Sequence, residues 1–199
     1  LVIPVDPKDE DGQLNPQLLV ESIIEYYYWI ILRGDLVVEV NCGGSDIATI
    51  SKDTIDELLS DWHNVDFRDM MRPRIDFARE ADKTKNIITL KRPSNSLKWG
   101  QVEDWFADDT ELEQVRSSFV AGEVVAIELP VRIKRTDGTV DEEDSCLVYL
   151  QNDDTSNRYG CEFLREGLAI SGLRNNLKDA GVRALLIVGD SSKHLSELL

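Results

Sequence analysis

The stretch "YGCEFLREGLAISG" (159–172) carries Arg165 and Glu166 between two apolar runs. A strand that bends at Gly167 would let both charges reach water. An arginine on a rigid strand also suits a phosphate, because its planar fork donates two hydrogen bonds at once. Lys134 and Arg135 stand in a similar place, at the end of the apolar run "EVVAIELPVRI". On residue types alone, pairing of Arg165 with a neighbouring acid at the sheet edge outweighs phosphate binding.

Familiar catalytic patterns are missing. The sequence has no GxSxG elbow, no GxxxxGK[ST] and no GxGxxG. "NCGGS" therefore reads as a hairpin turn rather than a phosphate loop. "IELPVRIK" separates Glu128 from Lys134 by six positions, which does not match a magnesium nuclease. The acidic runs "DEED" (141–144) and "DDTELE" lack the calcium-loop pattern and read as solvated loops. Cys42, Cys146 and Cys161 show no metal-ligand spacing, and His63 and His194 lie far apart. Cys146 and Cys161 fall in apolar runs and read as small core residues.

Charge narrows the partners. Twenty-two Lys and Arg stand against 38 Asp and Glu, a formal charge of −16 over 199 residues. Such a chain repels nucleic acid and anionic lipid, and direct nucleic-acid binding is not expected. No apolar run reaches membrane-spanning length, and no signal peptide is evident. Sparse, odd-numbered cysteines fit a reducing, cytoplasmic setting. The chain opens with "LVIPV", a strand-like run without an initiator Met, so a piece of a longer protein is expected.

The elements that would position these groups follow from periodicity. "NPQLLVESIIEYYYWIILRG" combines an N-cap at Asn15, Pro16 in the first turn and Gly34 past the end. Its apolar residues cover more than one helical face, which predicts burial between layers. An aromatic binding groove is the functional alternative. "DLVVEVN" (35–41) reads as a strand, and "NCGGSDIATIS" as a glycine turn and a second short strand, a plausible hairpin. Ser51 is expected to cap a helix in "KDTIDELLSDWHN". "FRDMMRPRIDFAREA" reads as helical with a break near Pro73, its arginines 68, 72, 74 and 79 paired with nearby acids. "NIITLKRPS" reads as a strand. Thr110 and Glu113 form a candidate capping box.

Two long strands follow, then a third over "RYGCEFLREGLAI", a short helix to Gly181, a central apolar strand "VRALLIVGD" and a final helix "SSKHLSELL". This order predicts an α+β fold with helices on one face of a sheet. The expected division is 1–50 (an exit strand, a helix and a hairpin), 51–109 (an insertion or helical subdomain) and 110–199 (the α+β domain).

Three phrases resemble a known family. "LVIPVD", then "ESIIEYYYWIILRGDLVVEVN", looks like the exit from a GHKL ATPase domain of the bacterial MORC-like kind. That ATP-binding fold is shared by gyrase, MutL, MORC proteins and the ninety-kilodalton heat-shock chaperone. "CEFLREGLAI" resembles the F-x-R-x-G-M-x-I strand of the region that follows, with Leu168 in place of Met. The resemblance covers under half the chain.

It implies that 110–199 is a transducer domain of ribosomal-protein-S-five-like α+β fold. The ATP-binding motifs themselves are absent, so this stretch would be non-catalytic and hold no cofactor. ATP and magnesium would belong to the parent protein, an ATPase. Its partners would be an N-terminal ATPase domain and a C-terminal region of the same polypeptide. Arg165, and secondly Lys134, would contact the ATP γ-phosphate. The competing expectation is an acidic protein–protein interaction module without enzymatic role, anchored by the aromatic helix 16–33 or by Trp99 and Trp105.

Overall fold

The computed structural model describes residues 15–42, 44–91, 105–133, 142–153, 161–170 and 181–189. Expected elements at 1–5, 171–180 and 191–199, together with Lys134, Arg135, Trp99 and His194, lie outside the described residues. The fold is α+β, and the chain forms two compact units. One holds residues up to Arg79 plus Gly167–Ala169, and the other holds Glu80–Glu166 and the chain from Ile170.

In the first unit, helix α1 spans Pro16–Arg33. Asn15 Oδ1 accepts from the Gln17 and Leu18 amides, and Pro16 loses nothing by lacking an N–H in the first turn. Gly34, at φ 82, closes the helix in the left-handed region, its N–H turned back on the last carbonyls. Val20, Ile23, Ile24, Tyr27, Tyr28, Trp29 and Ile31 are buried, as are Met71 and Ile75 further along the unit. Each such side chain contributes about 1.5–3 kcal/mol on burial.

Strands β1 (Val38–Cys42) and β2 (Ser45–Ile50) form the expected antiparallel hairpin. Ser51 and Thr54 then cap each other, each side-chain oxygen taking the other's amide. Helix α2 (Ile55–Ser60) follows directly on that turn, with Thr54 as its own N-cap residue. The expected break at Pro73 is absent, since helix α3 runs unbroken over Val65–Lys83 with Pro73 inside it. Three of the α3 arginines meet oxygen acceptors within the unit. Arg79 makes a bidentate pair with Asp56 at 2.7 and 2.9 Å, Arg72 donates to Ser60 Oγ, and Arg68 reaches Asp69.

The second unit is built on a sheet. That sheet comprises β3 (Ile87–Thr89), β4 (Val125–Ile133), β5 (Glu142–Asn152), β6 (Cys161–Arg165) and β8 (Val182–Val188) of this unit, together with the two-residue strand β7 (Leu168–Ala169), which is counted with the first. Their order is β3-β4-β5-β8-β6-β7. β3 lies parallel to β4 and β6 parallel to β8, while β5 runs antiparallel to both β4 and β8. β3, β4, β8 and β6 therefore all point the same way. The apolar β8 is central, as its near-continuous hydrophobic run requires.

Helix α4 (Asp109–Val120) covers one face, packing Leu112 with Ile88, Trp105 and Phe106, flanked by Leu90, Val115 and Leu129. Its cap is not the expected Thr110–Glu113 box. Asp108 Oδ1 accepts from the Glu111 amide, and Glu111 Oε2 reaches back to the Ala107 amide. The single strand expected over "RYGCEFLREGLAI" is in fact β6 and β7 joined by a two-residue turn. Glu166 and Gly167 sit there at φ 50 and 82, the signature of a type I′ hairpin turn.

Candidate functional site

Arg165 is the last residue of β6, level with Val188 at the end of the parallel β8. The Glu166 amide donates to the Val188 carbonyl at 2.9 Å, and the Ile170 amide to the Phe163 carbonyl at 2.9 Å. These two bonds hold the tip of β6 from both sides of the turn. Arg165 is half-buried and already engaged within the structure, while Glu166 is exposed. The carboxyl ends of parallel strands are where open sheets receive ligands. Arg165 lies at such an end.

Register measures how the second candidate relates to it. Leu164 is level with Ile187, Ile187 with Leu147, and Leu147 with Glu128. Arg165 is thus one step past the level of Glu128, and Ile133 is four steps further along β4. At ~3.3 Å per residue that is about 13 Å along the strand direction, with three strand spacings across. Lys134, next after Ile133, is outside the described residues. The end of β4 shares the sheet edge with Arg165 but is not beside it.

Glu128, which the sequence separates from any catalytic partner, accepts from two hydroxyls. Thr89 Oγ1 donates to its Oε2 at 2.9 Å and Ser145 Oγ to its Oε1 at 2.8 Å. This ties β3, β4 and β5 together. A cleft of about 260 Å³ opens between the end of α3, the start of β3, α4 and the entry to β4. Thr84, Asn86, Gln114, Ser118 and Glu123 supply its polar lining. No lysine or arginine lines it, and neither does any residue singled out in the sequence.

The remaining chemistry-bearing groups are quiet. Burial pushes the Cys146 thiol up from its ordinary value, with the Asp144 charge adding to it, and burial with Glu162 does the same at Cys161. Neither is poised as a thiolate nucleophile. Among the described residues no group of three or more His, Cys, Asp or Glu could hold a metal ion. No helix among them is long and apolar enough to cross a membrane.

Of the aromatics that an interaction module would display, Trp99 lies outside the described residues and Tyr26 is half-buried. Tyr27, Tyr28 and Trp29 are buried on α1, and Trp105 is buried beneath α4. In the first unit, a carboxylate that the sequence did not single out gathers two donors. Glu21 Oε1 accepts from Trp62 Nε1 at 2.8 Å and from Asn64 Nδ2 at 3.0 Å. Forty residues separate these partners, so no local pattern reveals them.

Comparison with known proteins found no matching family, no matching curated protein and no matching solved structure.

Proposed function

We propose that this chain is the transducer-like middle part of a GHKL-type ATPase. It would be non-catalytic itself and would couple ATP binding and hydrolysis in an upstream domain of the same polypeptide to a C-terminal effector. The observation that carries this reading is the placement of Arg165, a guanidinium at the carboxyl end of β6 and beside a tight turn. A strand end fixes the backbone beneath the side chain, and such rigidity is what a phosphate sensor needs.

The sheet adds support. β4, β5 and β6, followed by β8 inserted beside β6, fit the strand sequence of a ribosomal-protein-S-five-like domain. ATP and its magnesium would be held upstream. The residues of this chain would supply Arg165, and secondarily Lys134, toward the γ-phosphate. A preorganised donor of that kind is worth about 10²-fold or more in turnover.

ATP hydrolysis by the whole parent polypeptide tests this. Arg165→Ala is expected to lower kcat about 10²-fold, with Arg165→Lys recovering part of the loss. Lys134→Ala serves as the second arm. Wild-type turnover in both alanine variants would remove the sensor assignment. A parent that hydrolyses no ATP would end the whole reading.

A further inference from the structure

The cleft of about 260 Å³ lies wholly within the second unit, at the amino ends of the parallel pair β3 and β4. Buried Ile88 and Val125 give it an apolar lining. Exposed Asn86, Gln114 and Glu123, with half-buried Ser118, give it a polar one. Among the described residues, the side chains of these four make no hydrogen bond and no ion pair. Other carboxylates of the unit are taken up by neighbours: Glu128 by Ser145, Glu111 by the Ala107 amide and Glu113 by Arg116.

Charge at the cleft has one sign. Glu123 is the charged residue of its lining. Two helices also run out there, since Thr84 follows the last residue of α3 and Ser118 stands in the last turn of α4. The carboxyl end of a helix carries partial negative charge and favours a cation. Lys83 and Lys85 flank Thr84 in the chain but do not line the cleft. The lining is also rich in acceptors. A carboxylate only accepts, and each amide side chain and the hydroxyl bring an oxygen of their own.

We propose that this cleft binds a guanidinium group on a short alkyl stem, as carried by a small guanidino compound or by an arginine side chain. Glu123 takes the charge, receiving two N–H donors of the planar fork. The oxygens of Asn86, Gln114 and Ser118 accept the donors that remain, and the stem lies along Ile88 and Val125. The volume falls just below the range of about 300–1,000 Å³ usual for drug-sized ligands, so the occupant is a small group. Nothing in this site depends on the transducer reading.

NMR titration of the whole nitrogen-15-labelled chain with butylguanidinium tests it. Sodium chloride at about 0.15 M screens exposed charges beyond about 8 Å and suppresses general attraction. Saturable shifts are expected at the side-chain amides of Asn86 and Gln114 and at the backbone amides of Ser118 and Glu123. Butylurea, of the same shape but uncharged, should shift none of them. Glu123→Gln should weaken binding at least about tenfold. Asp46→Asn removes an equal charge from the β1–β2 hairpin of the first unit and should leave the affinity as it was. Both side chains are exposed, so neither change should disturb folding.

An acetylated and amidated Gly-Arg-Gly peptide separates the two sources. Binding of the peptide alone marks an arginine of a partner, binding of butylguanidinium alone marks a free small molecule, and either supports the site. No saturable shift with either probe would overturn the proposal, and so would equal binding of butylurea. Equal losses in Glu123→Gln and Asp46→Asn would also overturn it, reducing the effect to attraction by the formal charge of −16.

Discussion

A single thiol illustrates how burial, rather than identity, decides what a residue can do. Cys146 is buried in β5 opposite Leu129, and its pKa is raised above the ordinary 9.0, first by desolvation and then by Asp144. The folded state therefore holds the thiol proton more tightly than the unfolded state does. This contribution to stability is intact below pH 9.0 and is lost as pH climbs from there toward the higher folded value. Urea midpoints between pH 8 and 10.5 should fall less steeply for Cys146→Ala than for the parent. Parallel curves would show that the thiol contributes nothing. Iodoacetamide at pH 7.5 should likewise label Cys146 and Cys161 much faster in urea than in buffer. The core place of Cys146 was legible in the sequence from its apolar run, whereas Cys161, read the same way, is only half-buried. Glu21 was not legible, because its donors Trp62 and Asn64 are brought to it only by folding. Glu21→Ala strands two donors and should cost about 1–3 kcal/mol by denaturant unfolding, with Glu21→Gln losing less.

Elements were legible where local chemistry has one solution and were misread where it has two. α1 was readable end to end because Asn15, Pro16 and Gly34 each suit only one position of a helix. At α4 two acidic boxes overlap, two residues apart. Thr110–Glu113 and Asp108–Glu111 satisfy the same spacing rule, and the burial of Trp105 and Phe106 just upstream accompanies the choice of the second. Asp108→Ala should accordingly cost about 1 kcal/mol and Thr110→Ala close to nothing in thermal or urea unfolding. Equal losses would return the cap to Thr110. Pro73 is the reverse case, a residue whose local preference was overruled. α3 continues through it while Met71, Ile75 and Ala78 stay buried on the same helix. An interior proline forfeits up to about 3 kcal/mol of helix stability. Pro73→Ala should therefore stabilise the protein, and a lower urea midpoint would show that proline's fixed φ is needed there. The β6–β7 hairpin escaped notice because its turn is Glu-Gly. The customary Asn-Gly and Asp-Gly signals rely on side chains that tolerate the left-handed region, which glutamate, here at φ 50, enters less readily.

Across the whole molecule, strand order was the least legible feature. β3 pairs parallel with a strand almost forty residues later, and β8 enters between β5 and β6, so neither pairing leaves a local trace. Charge, by contrast, is a property of the entire chain that the composition states outright. A formal −16 means that bringing the chain into compact units crowds like charges together. Against this stand ion pairs such as Arg79–Asp56, Arg116–Glu113 and Arg33–Asp35, all with at least one well-exposed member. Exposed pairs of this kind contribute about 0–1 kcal/mol each, and a few of them cannot offset a surplus of sixteen negative charges. Repulsion acts over many distances and is screened once the Debye length falls from about 30 Å at 0.01 M salt to about 8 Å at 0.15 M. The short pairs are screened less, because their charges are already in contact. Raising sodium chloride from 0.01 to 0.15 M should therefore raise the melting temperature by several degrees, with most of the gain in the first step of added salt. Potassium chloride should do the same at equal ionic strength, since the effect is screening and not binding. A melting temperature that falls on adding either salt would mean that the local pairs outweigh the global repulsion.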